Sequence, residues 1–146
     1  MKSFADNAGR TWAVQVNVDT IKRVQGLLEV NLLDVVDGDL IERLVADPVL
    51  VCDVVYVVCK PEADKQGVSD EEFGRAMAGD AIHNAADALL AEIVDFFPPA
   101  KRTILAAALE KMRNLESVAM GAALERINET DFETKLRETL AAEFGE

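Results

Sequence analysis

Aromatic residues are scarce in this chain, at 5% of the sequence, with one Trp and one Tyr. A core with few large rings must be filled by Val, Leu, Ile and Ala, which suits helices packed closely together. Histidine occurs once, at His83, and cysteine twice, at Cys52 and Cys59. Neither cysteine stands at zinc spacing from His83 or from the other, so no tetrahedral metal site can be assembled. On a helix the two cysteines would be two turns apart, roughly 10 Å, too far for a disulfide. Their apolar neighbours mark them as inert buried thiols. Glycines fall singly, so neither a phosphate loop nor a dinucleotide fingerprint is present. Bases are outnumbered, 15 against 27 acids, for a net charge of −12. Such a surface repels phosphate backbones and argues against nucleic-acid binding. No apolar run approaches the roughly 20 residues that span a bilayer. The longest, Val49 to Cys59, is interrupted by Asp53 and reads as buried core. The opening MKSFADNAGR lacks an apolar signal core, so the expectation is a cytoplasmic protein with no membrane segment.

What is there is a chain of 146 residues, half of them apolar, enough for one domain with a substantial core. The expected fold is mainly α, of the α+β kind. An N-terminal β-hairpin (1–18) packs on a bundle of about five or six helices (19–114), and a C-terminal helical segment (115–146) follows. In the hairpin, Lys2 to Phe4 forms one strand and Arg10 to Val18 the other, joined by Asp6-Asn7-Ala8-Gly9. Trp12, Val14, Val16 and Val18 share one face, which makes Trp12 a core residue. Asp19 can cap a helix carrying Ile21, Val24, Leu27 and Leu28. Leu32 to Val36 is a connection, and Asp37-Gly38-Asp39 turns into a helix from Leu40 to Ala46. Asp47-Pro48 supplies an N-cap and a first-turn proline for Val49 to Cys59. That start favours a helix there, although six valines suit a strand nearly as well. Lys60-Pro61 interrupts it, and Glu62 to Val68 reads as a loop or a frayed extension with Gly67 near its end. Ser69 with Glu72 forms a capping box for a helix to about Met77. Gly79-Asp80 opens the next helix, whose stripe runs from Ile82 to Phe97, and Pro98-Pro99 ends it. Pro99 also starts a helix with Ile104, Leu105, Ala108, Leu109 and Met112 on one side. Beyond Asn114 the pattern loosens until a second capping box, Thr130 with Glu133.

The side chains that could carry chemistry have structural explanations. Asp34, Asp37 and Asp39 around Gly38 superficially resemble a calcium loop, but Leu33, Val35 and Leu44 would occupy ligand positions, so a solvated turn is expected. His83 reads as a surface histidine. Ser69 is a cap, and Ser3 and Ser117 lack a nucleophile-elbow context. No catalytic, cofactor-binding or metal residue is assigned, and no cofactor is expected. Three features suit protein binding instead. Phe132, Leu136, Leu140 and Phe144 form a narrow apolar stripe fit for groove docking or self-association, or equally for packing on this domain's own core. Phe96 and Phe97 form either an exposed patch or a helix-end staple. Residues 61–100 hold nine acids against two bases, either a lure for a basic partner or a solvated face.

Five stretches together resemble the small tail assembly chaperones of long-tailed phages and prophages. They are FADNAGRTW from Phe4, IKRVQGLLEVNLLDV from Ile21, DPVLVCDVVYVVCKPEA from Asp47, SDEEFGRAMAGDAI from Ser69 and ALLAEIVDFFPPAKRTIL from Ala88. The resemblance is one of layout and carries no catalytic motif. It implies a non-enzymatic protein that binds the tape-measure protein, keeps it soluble and helps tail-tube subunits polymerise around it. It also implies a longer form made by a ribosomal frameshift. The rival readings are a structural virion or head-tail connector component, a small cytoplasmic adaptor or regulator, and a small enzyme.

Overall fold

The computed structural model describes residues 2–35, 38–129 and 139–140. The chain divides into two compact units, Met1–Leu105 and Ala106–Glu146. The mainly helical fold with an N-terminal hairpin expected from the sequence is the one observed. Among the described residues there are two strands and seven helices.

Strands β1 (Lys2–Ala5) and β2 (Thr11–Val14) pair antiparallel, with Lys2 opposite Val14 and Phe4 opposite Trp12. The connection is a type I turn followed by a left-handed glycine. Gly9 N–H donates to Asp6 O at 3.1 Å and Asp6 N–H to Arg10 O at 2.9 Å, with Gly9 at φ 82°. This three-residue loop twists in the same sense as the strands it joins. β2 stops at Val14 instead of running to Val18. Pairing ends with Lys2 opposite Val14, and Gln15 O accepts from the Thr20 hydroxyl at 3.0 Å instead of continuing a ladder. Val16 stays buried, but Val18 is exposed and helical.

Helix α1 (Val18–Leu28) is therefore capped by Asn17, whose side chain accepts from Thr20 N–H at 3.0 Å. Asn serves as well as Asp at this position, and Asp19 pairs instead with Arg23 at 2.8 Å. Ile21 and Val24 are buried, whereas Leu27 is exposed. Helix α2 (Leu40–Ala46) follows; Val36 and Asp37, in the connection and turn before it, lie outside the described residues.

Helix α3 (Pro48–Val58) is the centre of the first unit. Asp47 accepts from Val49 N–H and Leu50 N–H at 3.0 and 3.1 Å. The cap and the first-turn proline set the helix, and burial of Val51, Val54, Val55, Val57 and Val58 outweighs the modest helix penalty of valine. α3 packs against α1, α2 and α6 (Asp80–Phe96), and β1 lies along α6.

Of the two readings of Glu62 to Val68, loop or extension, the structure has a separate helix, α4 (Lys60–Gln66), up to Gln66. Pro61 sits in its first turn, where a missing N–H costs nothing. Gly67 ends it in the left-handed conformation, and Lys60–Asp64 and Glu62–Gln66 contacts at 3.2 and 3.0 Å bridge successive turns. Helix α5 (Asp70–Arg75) is shorter than expected. Ser69 Oγ does accept from Glu72 N–H at 3.2 Å, while the Glu72 carboxylate lies 3.6 Å from Arg10.

Helix α7 (Pro99–Glu129) starts at the expected proline but does not break at Asn114. The residues on either side of Asn114, Leu109 to Arg113 with Leu115 and Glu116, have high intrinsic helix propensity. Leu105 and Leu109 of the expected stripe are buried, while Ile104 and Ala108 are exposed.

Candidate functional site

The polar groups that look reactive in isolation are tied into structure. Asp6 is buried beneath the hairpin turn. Its Oδ1 accepts from Ala8 N–H and Arg10 N–H, both at 2.9 Å, and its Oδ2 from Trp12 Nε1–H at 2.9 Å and the Arg10 guanidinium at 3.3 Å. Burial by itself would raise this carboxyl, but the four hydrogen bonds together hold it below the usual carboxylate range. Trp12 is fully buried, as its alternating position implies. It meets Phe73 edge-on at 5.3 Å between ring centroids, and Phe73 in turn meets Tyr56 at 5.2 Å. Asn7 binds the far side of the same cluster, donating to Ala76 O from its backbone at 2.9 Å and to Ala78 O from its side chain at 3.2 Å. The hairpin is thus fastened to α5 and to the loop after it.

A hollow of about 250 Å³ between Asn7, Arg10, Glu72 and Arg75 opens beside this cluster. Arg10 is drawn to Asp6 and Glu72, so the hollow presents a satisfied ion pair. His83 lies on the surface of α6 with Asp87 at 3.4 Å. Both cysteines are free thiols. Burial, reinforced by the charge of Asp53, pushes Cys52 up to about 11, and burial pushes Cys59 up to about 12. Thiols so far above neutrality are poor nucleophiles. Among the described residues no three His, Cys, Asp or Glu side chains converge as ligands for a metal ion. Nor is any described helix long and apolar enough to cross a membrane.

Of the three binding features expected, the Phe pair is the most clearly placed. Phe97 is buried and meets Phe96 edge-on at 5.6 Å. Arg102 closes the same helix end, donating from Nε and a terminal nitrogen to Phe97 O at 3.2 and 3.1 Å. In the C-terminal stripe, Phe132, Leu136 and Phe144 lie outside the described residues, as does the Thr130 and Glu133 capping box. Leu140 is 43% exposed.

The apolar surface that sequence reasoning missed lies in the second unit. On α7, Leu115, Val118, Met120 and Leu124 are between 58% and 70% exposed. At 100° per residue, Leu115 and Val118 fall on one side of the helix, while Met120 and Leu124 fall on another. Apolar side chains on two sides leave no single stripe, which is why the pattern past Asn114 looked loose. The available signal was the absence of a proline or glycine between Ala100 and Met120.

Comparison with models of known protein families, with curated proteins and with solved structures returns no match for this chain.

Proposed function

We propose that this chain is a non-enzymatic binding protein that works as a phage or prophage tail assembly chaperone in the host cytoplasm. Its clients would be the tape-measure protein and the tail-tube protein. The observation that carries the binding role is the helix surface of Leu115, Val118, Met120 and Leu124, four large apolar side chains left in water on a helix of 31 residues. A monomer gains nothing from such exposure, whereas a partner helix that covers it removes apolar area from water. Two apolar sides suit a long helical client, whose own seams can engage either one. The net charge of −12 keeps the exposed helix from self-precipitating. The tail assembly assignment rests on the resemblance of the five stretches named above.

The test is co-expression with the tape-measure client, expected to be a very long helical protein encoded downstream. The client should move to the soluble fraction, and Leu115→Asp with Val118→Asp should return it to the pellet. Unchanged client solubility in the presence of the wild-type chain sinks the assignment. The coding DNA offers a second check, since a slippery heptamer near the 3′ end and a tail-tube gene upstream are both expected.

A further inference from the structure

Strand β2 has two edges, and β1 occupies one of them. The 2.9 Å bond from Asp6 N–H to Arg10 O fixes the alternation of the ladder. Hydrogen-bonded pairs recur at Phe4 with Trp12 and at Lys2 with Val14, leaving Ala5 with Thr11 and Ser3 with Ala13 as the wide pairs. At wide pairs the backbone N–H and C=O point away from the partner strand. Thr11 and Ala13 therefore turn theirs toward the outer edge of β2. Among the described residues neither N–H meets an acceptor, and Ala13 O receives the weakly donating Cys59 thiol at 3.6 Å.

A groove of about 490 Å³ runs beside this edge, walled by Thr11, Ala13 and Gln15 on the strand side and by Asp19, Arg23 and Glu62 opposite. Its one base is already engaged. The Arg23 guanidinium donates to Val57 O and Val58 O at 3.1 Å and to Asp19 at 2.8 Å. Glu62 accepts one amide N–H, from Gln66 at 3.0 Å, and among the described residues no base pairs with it. The groove thus combines a row of outward backbone groups with unneutralised negative charge.

We propose that the outer edge of β2 takes an extended segment of a partner protein as an added strand, and that this segment carries a Lys or Arg which meets Glu62. Open strand edges template this kind of pairing. The net charge of −12 opposes a second copy of this chain at the edge and favours a basic partner. Every residue invoked lies in the first unit, so failure here leaves the α7 reading standing.

The test uses the full chain and a yeast-displayed library of random dodecapeptides. Enriched sequences should alternate β-forming residues and contain Lys or Arg, and the resynthesised binder should slow amide exchange at Thr11 and Ala13. Ala13→Pro removes an N–H that the hairpin does not use, and Glu62→Lys reverses an exposed charge. Each should weaken binding at least about tenfold, equivalent to about 1.4 kcal/mol, and Glu62→Lys, which gives up a first-turn acid and its Gln66 contact, should still melt within about 4 °C of the wild type. If Ala13→Pro fails to fold, Glu62→Lys and the amide exchange decide. No enrichment, enrichment of acidic or helix-forming peptides, or wild-type affinity in Glu62→Lys overturns the proposal. So does a concentration-dependent dimer that Ala13→Pro abolishes, because it would put a second copy on the edge.

Discussion

Replacing Asp6 by Ala removes the acceptor for Trp12 Nε1–H, a donor on a side chain with no exposed surface. A hydrogen bond to a charged acceptor contributes about 1.5–3 kcal/mol net, and a stranded buried donor keeps its full desolvation cost. Ala8 N–H and Arg10 N–H lose the same acceptor, but both are part-buried and can turn to water, adding about 0.5 kcal/mol each. The expected loss is about 3 kcal/mol, a large share of the roughly 5–15 kcal/mol that holds a domain together. At about 4 °C per kcal/mol, the melting midpoint should fall by about 12 °C. Asp6→Asn retains an acceptor oxygen without the charge and should lose about 1 kcal/mol. Urea unfolding followed by circular dichroism measures each variant, and a double-mutant cycle with Trp12→Phe isolates the pair. A coupling of about 1.5–3 kcal/mol is expected. Coupling below about 0.5 kcal/mol would show that the carboxylate does not fasten the hairpin to the core.

The pH dependence of stability has a definite sign at the same residue. The folded pKa of Asp6 is lowered, so its contribution is fully present above the unfolded value, about 3.9, and is lost as pH falls through the lower folded value. Acid titration of the melting midpoint should therefore show a drop below about pH 4 that Asp6→Asn flattens. Glu29 ends α1 in the left-handed conformation at φ 56°, which glycine adopts without strain. Glu29→Gly should stabilise by about 0.5–1 kcal/mol in urea unfolding. At pH 8 a thiol at about 11 is roughly 0.1% ionised, against about a quarter for a free thiol at 8.5. Cys52 should react with a disulfide reagent at least about tenfold more slowly than free cysteine, because the greater intrinsic nucleophilicity of a high-pKa thiolate offsets part of the lost ionised fraction, with both thiols becoming fast in denaturant. Finally, Leu115→Asp and Val118→Asp should each leave the melting midpoint of the first unit unchanged, because exposed substitutions act within about 0.5 kcal/mol.

Local signals in the sequence were sufficient for much of the architecture. Asp47-Pro48 announced α3, Ser69 announced α5, and Pro99 announced α7, because caps and prolines act through backbone groups within a few residues. The alternation around Trp12 likewise placed its ring inside. Misreadings came where two signals competed. Pro61 signals an interruption by residue type, yet it fits the first turn of α4, and the i,i+4 pairs of Lys60 with Asp64 and Glu62 with Gln66 support the helix. Asp19 is a good capping residue by type, yet Asn17 two residues earlier serves equally well and caps α1.

The sequence by itself determined the starts of the helices other than α1 and α4, the hairpin turn, the Val-rich centre and the acidic charge, since each depends on residue type and short spacing. Tertiary structure decided the rest. It decided that Asp6 is no free carboxylate, because its partners Trp12 and Arg10 reach it only when the hairpin closes. It decided that the outer edge of β2 stands open beside Glu62, which is fixed by where α4 is carried by α3. It also decided which apolar side chains of α7 remain in water. Exposure depends on what the rest of the chain brings up against a helix, and no spacing along the helix records that.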